Sequence, residues 1–79
     1  LYYLGASYYE LQNYSKAIRV FKKSLIINPK NEYAIYALGQ AYIESDNKRD
    51  SKRQLKSLMN FNNELFELLK VSFDAKFGN

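Results

Sequence analysis

Residues 1–31 read LYYLGASYYELQNYSKAIRVFKKSLIINPKN, and the chain comes back to the opening of that stretch further on. Displaced by 34 residues, Tyr2 falls on Tyr36, Leu4 on Leu38, Gly5 on Gly39, Tyr8 on Tyr42, Glu10 on Glu44 and Asn13 on Asn47. Arg19 falls on Arg53 and Lys22 on Lys56. A fixed period in the range of about 20–50 residues marks stacked repeats. A unit of that size cannot bury its own apolar face and needs a neighbour.

Apolar spacing and local punctuation predict helices over residues 1–12, 15–28, 32–45, 48–61 and 64–77. Pro29 cannot continue the second helix, and it pushes Asn28 out of the α region. Asn31 reads as an N-cap, with Glu32 placed to favour the helix dipole. Asp46-Asn47 makes the next turn, Asn62-Asn63 a further polar break with Asn63 capping Glu64, and Gly78 suits the position just past a helix end. Gly5 and Gly39 lie inside helical patterns, where glycine costs about 1 kcal/mol relative to alanine. Close helix approach is the simple reason for that cost, and Ala17 and Ser51 are the small residues expected to meet the two glycines. A phosphate-cradling role would need a glycine-rich loop after a strand, and none is present. The last helix carries Leu65, Leu68, Leu69, Phe73 and Phe77 on one stripe, a face suited to cover the apolar side of the second unit. Phe66 falls beside the stripe, where it is open to self-association or a docking partner.

Leu4-Gly5, Tyr8, Ala17, Phe21 and Pro29 stand at the spacing of the tetratricopeptide repeat, so residues 1–31 resemble that family, with Leu1 where it prefers Trp. The second unit resembles it through Ile35, Leu38-Gly39 and Tyr42, then departs. Ser51 stands for Ala, Leu55 for Phe and Asn63 for Pro. A third unit would need Leu-Gly where Ser72 and Phe73 stand. The resemblance implies an all-α fold, an α-α superhelix of helical hairpins. Residues 1–31 would be a first repeat lacking its N-terminal part, 32–63 a divergent second repeat, and 64–79 a terminal capping helix.

In that family the first helix of each unit lines a concave groove. Carried over by position from the Leu-Gly pairs, the groove residues are Tyr2, Ala6, Tyr9 and Glu10 in unit one. In unit two they are Tyr36, Gln40, Ile43 and Glu44, with Tyr33 one turn earlier. Tyr2, Tyr9, Tyr33 and Tyr36 are open to groove exposure or to packing between helices, whereas Tyr3, Tyr8 and Tyr42 are expected to pack. Tyrosine offers large contact area at low entropy cost and keeps a hydroxyl for hydrogen bonding. Such a groove would take a peptide or helix with apolar anchors. Some family members clamp the C-terminal carboxylate of chaperone peptides. Here Tyr2 and Ala6 replace the first Lys and Asn of that clamp and Ala37 the second Asn, so a chaperone tail is disfavoured as ligand.

Composition narrows the function classes. A chain of 79 residues buries about 60% of its unfolded surface, so its core is thin. It has no cysteine and no histidine, which removes disulfides, thiolate metal sites and the commonest general base. Eight tyrosines and five phenylalanines supply the packing material instead. No apolar run approaches the roughly 20 residues of a membrane span. The chain begins at Leu1 with nothing resembling a signal peptide, and reads as an internal piece of a longer protein, with the cytoplasm only as a default compartment.

Net charge is +4, and five of the twelve basic residues lie on one predicted helix. Lys48, Arg49, Lys52, Arg53 and Lys56 recur at helical spacing as a basic stripe, with Leu55, Leu58 and Met59 facing the core. A solvated outer face is the plain reading. Nucleic acid or an acidic partner is the weaker alternative, since no aromatic residue sits in the stripe to stack on a base. Asp46 and Asp50 lack the glycine and spaced oxygens of a calcium loop. The residues therefore predict a non-catalytic scaffold for another protein or peptide, without cofactor or metal. The alternative is a structural or oligomerisation segment. Two repeats are fewer than the roughly three that stand alone, so either the fifth helix or a second copy completes the core.

Overall fold

The computed structural model describes residues 1–78 and folds them into five α-helices in sequence. These are α1 (Tyr2–Glu10), α2 (Tyr14–Ile27), α3 (Glu32–Glu44), α4 (Lys48–Met59) and α5 (Asn63–Phe77). Residue 79, the last of the expected capping segment, lies outside the described residues.

Four of the helices start on asparagine. The side chains of Asn13, Asn31, Asn47 and Asn62 accept hydrogen bonds from the backbone N–H groups of Lys16, Ala34, Asp50 and Leu65. Each satisfies one of the donors that a helix start leaves unpaired. The cap of α5 is thus Asn62, and the expected cap Asn63 is already the first helical residue. Asn62 is extended (φ −147°, ψ 100°), the backbone a cap residue needs, and its amide also donates to Glu32 Oε1 at 2.8 Å.

The two intra-unit turns are built alike. Gln12 and Asp46, one period apart, both take the left-handed conformation, at φ 62° and 64°. The next N–H in each closes onto the helix behind it, Asn13 onto the Tyr8 carbonyl at 2.9 Å and Asn47 onto the Tyr42 carbonyl at 2.8 Å. The repeat therefore extends to a left-handed backbone conformation that is uncommon outside glycine, although aspartate tolerates it better than glutamine.

α3 lies at the centre. Ala34, Ile35, Leu38, Gly39, Ala41, Tyr42 and Ile43 are all buried, so this helix is enclosed on nearly every side. It joins two clusters. Ala17, Phe21, Leu38 and Tyr42 form one, and Ile35, Ile43, Leu55, Leu58, Leu65, Leu69 and Phe73 form the other. Half-buried Leu25 packs against both.

The two glycines do permit close approach, and the atoms nearest to them belong to Phe21 at Gly5 and to Leu69 and Gln54 at Gly39. A Cβ at Gly5 would lie 2.5 Å from the Phe21 ring. A Cβ at Gly39 would lie 2.6 Å from Leu69 Cδ2 and 3.2 Å from Gln54 Cβ. Where unit one has the Phe21 ring, unit two has the smaller Leu55, and Leu69 of α5 comes over the glycine instead.

α5 packs on α3 and α4 through Leu65, Leu69 and Phe73, with Phe77 half-buried beside them. Two expectations for this helix are corrected. Leu68 is 55% exposed, because the buried stripe follows residues 65, 69 and 73 and leaves Leu68 a quarter-turn away. Phe66 is half-buried against the second cluster rather than free. Tyr3, expected to pack, is 82% exposed.

Candidate functional site

A groove lies between α1 and α3 and has a volume of about 290 Å³. Tyr2, Ala6, Tyr9 and Glu10 line it from α1, and Tyr36, Ala37 and Gln40 from α3. The Phe21 ring, itself fully buried, forms its floor. Small Ala6 and Ala37 open the space between the tyrosines, and bare Gly5 lets Phe21 rise beneath them. Tyr2 leans on Phe21, with ring centroids 6.0 Å apart, and Tyr9 meets Tyr14 edge-on at 5.4 Å.

The groove's polar groups are fixed by the chain. Gln40 Nε2 donates to the Tyr36 hydroxyl at 2.9 Å and to Ser72 Oγ of α5 at 3.0 Å. Both amide hydrogens are thereby engaged, and α5 is tied to the groove wall. Burial, and then the charge of Glu44, the neighbouring Tyr14 and Tyr36, and Glu10, push the Tyr9 hydroxyl up to about 12. Tyr9 is therefore a neutral phenol at ordinary pH, and the groove's charge comes from its glutamates.

Of the residues expected in the groove, the structure brings Tyr2, Ala6, Tyr9, Glu10, Tyr36 and Gln40 together and leaves Glu44 outside the lining. It places Ile43 elsewhere: at 3% exposure it belongs to the core shared with Leu55 and Leu58. Helix five covers the side of α3 that Ile43 faces, so the side chain that was expected to meet a ligand meets protein instead. Tyr33 is 60% exposed but outside the groove. Phe21 and Ala37 line the groove without having been expected there. Phe21 had a signal, since a ring opposite a glycine can pass it and reach the far side. Ala37 had none.

The basic stripe of Lys48, Arg49, Lys52, Arg53 and Lys56 lies exposed along α4, away from the groove, with Arg53 3.8 Å from Asp50. Among the described residues no group of three His, Cys, Asp or Glu could hold a metal ion, and no helix is long and apolar enough to cross a membrane.

Hairpins stacked through a buried central helix, with a groove between successive first helices, define a helical-repeat scaffold. Residues 1–31 match the family model described as tetratricopeptide repeat, and the match and the five-helix fold together fit a tetratricopeptide-type helical repeat. Repeats of this family generally mediate protein–protein interaction and are typically non-catalytic. No curated protein and no solved structure matches the chain.

Proposed function

We propose that this chain is a non-catalytic interaction module that takes a peptide or helix of another protein in the α1–α3 groove. In this reading residues 1–31 and 32–63 are the two repeats and 64–79 cap the stack. One observation carries it. Tyr2 and Tyr36 occupy equivalent positions one period apart, and both open onto a single concavity with Tyr9 and Ala6 between them. Aromatic rings around a small residue make a seat for an apolar anchor, the usual centre of binding energy.

The test selects peptides from a displayed random library and maps an enriched peptide by amide shifts in NMR. Truncating Tyr9 or Tyr36 would confuse binding with packing, because both lie against the core. Ala6→Leu is cleaner, since it fills the groove without altering charge. The expected result is shifts concentrated on α1 and α3, with affinity lost roughly tenfold or more in Ala6→Leu. Enrichment of nothing, or shifts confined to α4 or α5, would reject the reading.

A further inference from the structure

Charge is divided between the helices. Nine of the twelve basic residues lie on α2 and α4. α1 and α3 carry no basic residue, and their charged residues are Glu10, Glu32 and Glu44. The chain is cationic as a whole, yet the two helices that wall the groove contribute only negative charge to it. Glu10 lines the groove, and Glu44, its equivalent one period on at the end of α3, stands outside that lining but within electrostatic reach of the Tyr9 hydroxyl. Gln40, with both amide hydrogens engaged, has only acceptor capacity left to offer. What the groove presents to a visitor is therefore aromatic faces, phenol hydroxyls, carboxylate and a carbonyl oxygen, with no cationic side chain in its lining.

Resting on the groove reading above, we infer that the partner is a basic segment, and that an Arg or Lys side chain of it lies over the Tyr9 and Tyr36 rings with its cation between Glu10 and Glu44. The ring faces attract a cation through their quadrupole, and the carboxylates accept its hydrogen bonds. Arginine suits the site better than lysine, because its planar group stacks on a ring while its edge donates to a carboxylate. Among the described residues a cation already sits over a tyrosine ring in this way, where Lys16 Nζ lies 5.6 Å from the centre of the Tyr8 ring. An acidic segment would meet the like charge of Glu10 and Glu44 and is disfavoured by the same arrangement.

Three labelled peptides test this: leucine and tyrosine anchors alternating with arginine, the same peptide with every Arg replaced by Gln, and the same with every Arg replaced by Glu. Fluorescence anisotropy is read against wild type, the Glu10→Gln/Glu44→Gln double variant and Lys52→Gln/Arg53→Gln on α4. Wild type should bind the arginine peptide roughly tenfold more tightly than the glutamine peptide, an advantage that falls with salt. The glutamate double variant should lose that advantage, and the α4 variant should keep it. Equal binding of the arginine and glutamine peptides, or an advantage that survives in Glu10→Gln/Glu44→Gln, would overturn the inference and leave the groove reading standing. Failure of all three peptides to bind wild type would overturn both. Light scattering of the free protein across a concentration series separates a further outcome. If the α4 stripe of a second copy fills the groove, mass rises with concentration and falls back in Lys52→Gln/Arg53→Gln, which would replace the foreign partner with a second copy and overturn the inference.

Discussion

Gly5 lies directly against the Phe21 ring. Phe21 is fully buried, so a Cβ arriving 2.5 Å from it must displace the ring from its packed position at the groove floor. Two effects compete when Gly5 becomes alanine. Helix propensity favours alanine by about 1 kcal/mol. Overpacking of a close-packed core costs about 1–3 kcal/mol. Sterics should win, so Gly5→Ala is expected to lower stability by about 1 kcal/mol in urea denaturation. Phe21→Leu beside it should restore room, and the double variant should lie above the sum of the singles by about 1 kcal/mol. A Gly5→Ala variant that is more stable than wild type, and additive with Phe21→Leu, would show that the overlap does not govern this site. The glycine's need for space was legible in the sequence. Which side chain uses the space was not, because periodicity places Ala17 and Phe21 on the same helix face and only packing decides which one reaches the glycine.

At the scale of the helix, α5 shows where pattern reading stops. Leu65, Leu68, Leu69 and Phe73 form one apolar set in the sequence, and a helix face wide enough for all of them is ordinary. The actual contact is narrower. Leu69 lies over Gly39 in a fully buried position, while Leu68 is left to solvent beside Val71. Leu69→Ala should cost about 2–5 kcal/mol, because it empties space that no other side chain can fill. Leu68→Ala should stay within about 0.5 kcal/mol of wild type. Comparable losses in thermal melts of the two variants would mean that α5 is rotated from the seat described. The same rotation explains the groove. Four of the five helices and their order follow from repeat period, proline and asparagine, and the first-helix groove positions follow from the family's pattern. The placing of Ile43 in the core depended on how α5 covers α3, and no local signal encodes that. The ion pair of Lys76 with Asp46, at 3.6 Å, is half-exposed and adds little to the seat.

Over the whole molecule, anchorage is uneven, and the unevenness falls on the groove. α3 is enclosed by α2, α4 and α5, with seven buried residues. α1 contributes a single buried residue, Gly5, and its Leu1 and Leu4 are exposed where their equivalents Ile35 and Leu38 are buried. Local opening is cheapest where few apolar contacts must be broken. Native-state hydrogen exchange should therefore find the slowest amides in α3 and the fastest helical amides in α1. The two walls of the groove then differ in kind, one fixed by the core and one held mainly by α2. A ligand that bridges Tyr9 on α1 to Tyr36 on α3 binds only the closed form, so it must raise the protection of α1 by mass action. The arginine peptide should slow exchange in α1 more than in α3, whose amides are already protected. Equal protection in all five helices of the free protein would mean that the fold opens as one unit. A peptide that binds tightly yet leaves α1 exchange unchanged would have its seat somewhere other than the groove.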